Sequence, residues 1–475
     1  MDMNDLVQAL GQKETPVLAS TAEAMAVLRR DEEKISARDI SRVVLRDPLM
    51  TLRVLRFAEA KRGAKQLADI TTVEHAVMMH GIITFMRAHA QTTPIEVSLA
   101  KDRLALDGAL RVISRAQHAS AFARAIAFQR HDIESDEVII SALLHDLAEL
   151  LLWCHMPREE SEIRYIVDNA RGVRSTSAQR LILGFTHTDL QLALARMWNL
   201  PELLCRLMDD DHADHPRVIN VVTAAALARH LDHGWNDPAL PDDYARVQKM
   251  CGMSLDGSQR LVTSAALTAA RQWRSTGIMP VATWLPLEKG SMPPVNLGMK
   301  PSETVDLNVL KRGLHVLQHA PTSLDEDVLV AWTLYCLKFG LGLNRVMYAG
   351  VSPGGKNLSV RFVLDGDVGA VSRLESMPMP LGGTDFFPRL MTKPQGIWAG
   401  GANRAKIAGL LLPAQRAVLG EGEFLLMSVF AGTTPKGLVY ADFDGQHRPI
   451  PDSLYAPFKA LCLTLSQRLS AQAAA

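Results

Sequence analysis

The chain has 475 residues, past the length at which one hydrophobic core keeps growing, so two or three domains are expected. Its 51 Lys+Arg offset 51 Asp+Glu, which excludes a whole-molecule electrostatic footprint for nucleic acid or a membrane surface. No run approaches the roughly 18 uninterrupted apolar residues of a spanning helix, and Met1-Asp2-Met3-Asn4-Asp5 lacks the basic and apolar regions of a secretory signal; the expectation is a cytoplasmic protein that does not engage membranes. Cys154, Cys205, Cys251, Cys336 and Cys462 are scattered and odd in number, so neither a disulfide framework nor a cysteine zinc site is expected.

The chain to about residue 285 reads as helical. Apolar residues recur at three- and four-residue spacing in 21–30, 37–46, 48–60, 110–129 and 136–154, and again in 157–169 and 175–199. Near residue 280 the composition shifts, and Pro286, Gly290, Pro293, Pro294 and Gly298 mark a linker. Beyond it, the short runs 345–351, 358–364, 423–431 and 437–443 predict strands, flanked by helices over 325–339 and 454–470. The expected organisation is a multi-domain chain: an all-α bundle over 1–235, a helical extension over 236–285, a Pro/Gly-rich linker over 286–305 and an α+β domain over 306–475.

Nine of the fifteen histidines fall between His118 and His233. The sharpest local feature is His145-Asp146, set in an apolar helical run where each polar group needs a partner. Imidazole and carboxylate together suit a divalent ion, and His118, His187 and His212 could approach from other helices. The competing reading of such a pair is a hydrogen-bonded core pair.

Several ordered motifs carry a family resemblance. Arg46-Asp47-Pro48-Leu49-Met50-Thr51, Ile70-Thr71-Thr72-Val73-Glu74-His75-Ala76-Val77 with His80-Gly81, Ala142 through Leu150, and Thr186-His187 through Pro201 resemble HDOD domains over about residues 10 to 235. The resemblance implies a helical fold similar to the metal-dependent phosphohydrolases of the HD superfamily and a non-catalytic role in bacterial signalling. By that pattern His118 stands at the first ligand histidine, His145 and Asp146 at the His-Asp doublet, and His187 and His212 at the additional histidines. Two departures count against catalysis. Ala148-Glu149 stands where active relatives carry a lysine, and Ala225 or a neighbour stands where a late aspartate ligand is expected. Ala58-Glu59-Ala60 also departs from the family's asparagine-serine element.

The C-terminal pattern resembles a GAF domain, on Phe339 through Met347, Pro435 through Asp442 and the final helix. Trp398 and Arg404 are its candidate ligand-binding residues, and the glycine-rich 396–401 stretch is expected to be a plain loop. The leading expectation is a regulatory or scaffold protein, an HDOD output module coupled to a GAF-like sensor, acting through signalling-protein partners and able to form a homodimer. No catalytic residue and no certain cofactor is assigned, a divalent ion being the one candidate. The alternative is a divergent metal-dependent phosphohydrolase acting on a nucleotide or cyclic dinucleotide; a nucleic-acid-associated regulator ranks third.

Overall fold

In the computed structural model, the described residues are 2–30, 34–61, 70–132, 135–170, 172–209, 215–273, 304–365, 373–443 and 448–474. They form two compact units, the described parts of Met1–Ser161 with Phe185–Leu297, and of Glu162–Gly184 with Gly298–Ala475. The expected linker falls almost entirely outside the described residues.

The first unit is built from helices around Arg103–Gln129, which packs against Ser135–Leu144, Leu147–His155, Pro216–Asp232 and Leu255–Gln272. Asp102 caps the central helix through the amide of Ala105. Gly108 lies under the Trp153 ring, where a Cβ would come within 2.2 Å of ring carbon. Asp47 caps Pro48–Ala60 by accepting from the amides of Leu49 and Met50, and its other oxygen accepts from Leu18 at 2.7 Å, tying the N-terminal segment to that helix.

Two helices expected to be continuous are each divided. The 136–154 run becomes Ser135–Leu144 and Leu147–His155, parted at His145-Asp146. The Asp146 side chain makes no cap, because arginines and His145 take its oxygens. The 175–199 run becomes Ser175–Ile182 and His187–Met197, broken at Gly184 (φ 89°) and restarted by a capping box between Thr186 and Asp189. The helical stretch Ser135–His155 passes the length and composition test for a membrane span, yet 72% of its apolar window is buried, as in a core helix.

The second unit holds a five-stranded antiparallel sheet in the order β2-β1-β5-β4-β3, with β1 Arg345–Val351, β2 Leu358–Leu364, β3 Gly396–Ala399, β4 Phe424–Ala431 and β5 Thr434–Asp442. Period-two alternation serves two cores. Val346, Tyr348, Leu425, Met427, Val439 and Ala441 face Leu307–His319, Glu326–Tyr335 and Tyr455–Ala474; Met347, Ala349, Leu426, Leu438 and Tyr440 face Phe386, Phe387, Leu390 and Ile407. Ile163, Ile166, Ala178 and Leu181 join the first of these cores. The expected α+β pattern is present. β3 corrects the loop expectation for 396–401: only four residues long, it pairs at the sheet edge with β4.

Candidate functional site

Four helices of the first unit, with the first residues of Pro157–Asn169, which belong to that unit up to Ser161, gather the polar residues of the histidine-rich segment. Arg103–Gln129 supplies Arg111, Arg115 and His118; the break before Leu147–His155 and that helix's first turn supply His145, Asp146 and Glu149. Glu160, His187, and Arg229 with Asp232 come from Pro157–Asn169, His187–Met197 and Pro216–Asp232.

Arg115 is the centre. Its side chain is 2% exposed, and its Nη2 donates to Asp146 at 3.1 Å and to Glu149, while Nη1 lies 3.7 Å from Asp232. Arg111 donates to Asp232 at 2.7 Å, and Arg229 reaches Asp146 at 3.5 Å. Three guanidinium groups thus face three carboxylates, which offsets the cost of burying each charge. Burial pushes the Asp146 carboxyl up, but Arg115, the His145 hydrogen bond and Arg229 prevail and hold it well below the usual carboxylate range.

His187 Nε2 lies 3.0 Å from Glu160 Oε2 beside this network. Burial lowers the His187 pKa; the carboxylates of Glu160, Glu149 and Asp146 more than reverse that and raise it above the ordinary value. His118 is different. Its Nδ1 pairs with the Ser114 carbonyl at 2.8 Å, and burial pushes its pKa down to about 4, so the ring is neutral at pH 7. Its Nε2 is buried with no hydrogen-bond partner among the described residues, a lone pair in the tautomer a metal would need.

The other expected donors do not join it. Asp146 is engaged by Arg115, Arg229 and by His145, whose Nδ1 is 3.0 Å away. His212 lies outside the described residues. Among the described residues, the one trio of His, Cys, Asp or Glu whose ligand atoms all lie within 4.8 Å of one another is Glu149, Glu160 and His187, which shares a single residue with the expected set. Among the described residues His118, His145, Asp146 and His187 are not gathered into one cluster of ligand atoms, and the cation beside Asp146 is a guanidinium of the chain itself.

Sequence reasoning missed Arg115, Arg111, Glu160 and Asp232. Arg111, Arg115 and His118 follow i, i+4, i+7 spacing on an apolar helix, the signal of a polar row on a buried face. Asp232, two turns beyond Ala225 on the same helix, is the carboxylate that pairs with Arg111. In the second unit, the Arg404 guanidinium donates to the carbonyls of Gly422 and Gly420 at 2.7 and 2.6 Å and sits over the Phe424 ring, so it braces a turn. Trp398 is part-buried on β3 and packs on the helical side of the sheet.

Residues 15–214 match the HDOD domain family, and the chain carries an HDOD domain over that span. Among solved structures, the MmoQ response regulator of Methylococcus capsulatus str. Bath is 20% identical, with 53% of this chain and 98% of that chain covered at a TM-score of 0.41. A virulence factor from Campylobacter jejuni subsp. jejuni is 18% identical over 57% of this chain and 98% of its own, TM-score 0.42. An HDOD domain protein from Geobacter sulfurreducens is 16% identical over 56% and 97%, TM-score 0.32. No curated protein matches the chain.

Proposed function

We propose that this chain is a non-catalytic regulatory protein of bacterial signal transduction, in which the HDOD domain acts through protein contacts and the C-terminal unit is a GAF-like sensor. The observation that carries the reading is Arg115, whose buried guanidinium holds Asp146 and Glu149. Metal-assisted phosphoryl chemistry needs an ion with an open position for water, and here a fixed organic cation sits among the carboxylates. The lysine position of active relatives is taken by Glu149, which pairs with that same arginine. A five-stranded antiparallel sheet with an apolar core on each face supports the sensor reading. Ligand or partner binding there would shift the protein's state only by its differential affinity for the alternatives.

The second reading is a divergent phosphohydrolase, and the Glu149, Glu160 and His187 trio favours it. The test is elemental analysis of the full chain purified without a metal-affinity tag, together with turnover of bis-p-nitrophenyl phosphate under added manganese, iron or zinc. Metal below a tenth of an equivalent and no turnover is the expected result. Stoichiometric metal with turnover that is lost in His187→Ala and Glu160→Ala would establish the enzyme instead.

A further inference from the structure

An open groove of about 820 Å³ runs over the first unit, lined by none of the residues of the Arg115 centre. One wall is Arg103–Gln129, which presents Gln117, Ser120, Ala121, Arg124, Ala125 and Phe128. The other is Leu255–Gln272, which presents Leu261, Ser264, Ala265, Thr268, Ala269 and Gln272. Both rows follow i, i+3, i+4, i+7, i+8, i+11, the stripe a helix turns toward a helical neighbour. Each extends about 16 Å, three helical turns. The second wall lies beyond residue 214, so the groove is not a property of the matched HDOD span alone.

Charge identifies the occupant. Arg38, Arg42, Arg46 and Arg124 line the groove against two carboxylates, Glu74 and Asp136, in a chain of zero net charge. Asp39 offsets Arg42, at 3.6 Å on the surface, and also acts on Arg38, while among the described residues Arg46 and Arg124 have no ion-pair partner. Phe128 is 81% exposed at the end of its row, an apolar anchor. Alanines at 121, 125, 265 and 269 let a helix approach closely between the two walls, in the helix-in-groove mode of recognition.

We infer that this groove binds an amphipathic helix of about three turns from a partner protein, its apolar stripe on the alanine floor and its Glu/Asp flank against the four arginines. The inference rests on the protein-contact reading above and names the partner's chemistry. The test places the photo-crosslinker p-benzoylphenylalanine at Ser264 of the full chain in its native host, with Val97, 65% exposed, as a second site, and sequences the cross-linked peptides.

The expected result is capture through Ser264 of an acidic segment with apolar residues at i, i+3, i+4 and i+7. That yield should fall at least tenfold in the doubly charge-reversed Arg46→Glu, Arg124→Glu chain, whose thermal midpoint stays within about two degrees because both side chains are exposed. Capture of a second copy of this chain, of a basic segment, or capture indifferent to charge reversal would overturn it. So would saturable binding of a fluorescent guanine nucleotide abolished by the same reversals, which would make the groove a small-anion site. Capture at Val97 but not at Ser264 would overturn the groove and leave the protein-contact reading standing; capture at neither would sink both.

Discussion

At the scale of single residues, Arg115 decides what the polar centre can do. Removing it takes from Glu149 the guanidinium it pairs with and leaves Asp146 to His145 and Arg229, and breaking a buried pair in this way costs about 3–5 kcal/mol. Arg115→Ala should lower the urea midpoint accordingly, and added zinc or manganese should recover part of the loss by supplying the missing positive charge. Unchanged stability would mean the network is not the structural element described. His187 makes a separate prediction through pH. Its folded pKa is raised, so the stability it contributes is fully present below its ordinary value of about 6.5 and is lost as pH rises through the folded value. The unfolding free-energy difference between the parent protein and His187→Gln should therefore shrink from pH 6 to pH 9; a flat difference would show that the imidazole is neutral in the fold.

At the scale of elements, the close approach of Arg103–Gln129 to Leu147–His155 depends on Gly108. With a Cβ at that position meeting the Trp153 ring, Gly108→Ala forces the indole or a helix to move, an overpacking cost of about 1–3 kcal/mol. Thermal unfolding, read together with Trp fluorescence, reports both the loss and the ring's displacement, and a variant as stable as its parent would show that the ring yields freely. The helix Pro48–Ala60 was legible residue by residue, since an Asp cap followed by Pro is a local signal. The break at His145-Asp146 was not. Apolar spacing continues across it, and the Asp146 carboxylate at the break is held by Arg115, 31 positions earlier. β3 was missed for the opposite reason, being too short to show an alternating pattern.

At the scale of the whole molecule, the two units are not consecutive pieces of chain. Residues 162–184 fall within the span matched to the HDOD family, yet Ile163, Ile166, Ala178 and Leu181 complete the core of the sheet-bearing unit. Glu162 pairs with Arg312 at 2.9 Å, and Ser177 donates to Asp325 at 3.0 Å. A fragment beginning at residue 304 should consequently expose that apolar face. It should bind the dye ANS and be cut by protease far faster than the same region of the full chain, and a fragment as resistant as the full chain would show that the 162–184 segment is dispensable.

What the sequence determined by itself was local: helix starts with their caps, the change from helical to strand periodicity near residue 280, and the ordered motifs of the HDOD span. These depend on neighbours within a few residues, where spacing and side-chain type suffice. The tertiary structure alone decided that a guanidinium neutralises Asp146, that Glu160 lies beside His187, and that two helical stripes 144 positions apart face one groove. Each is a pairing of distant residues, and a charge buried on one helix takes its meaning only from the charge that folding places against it.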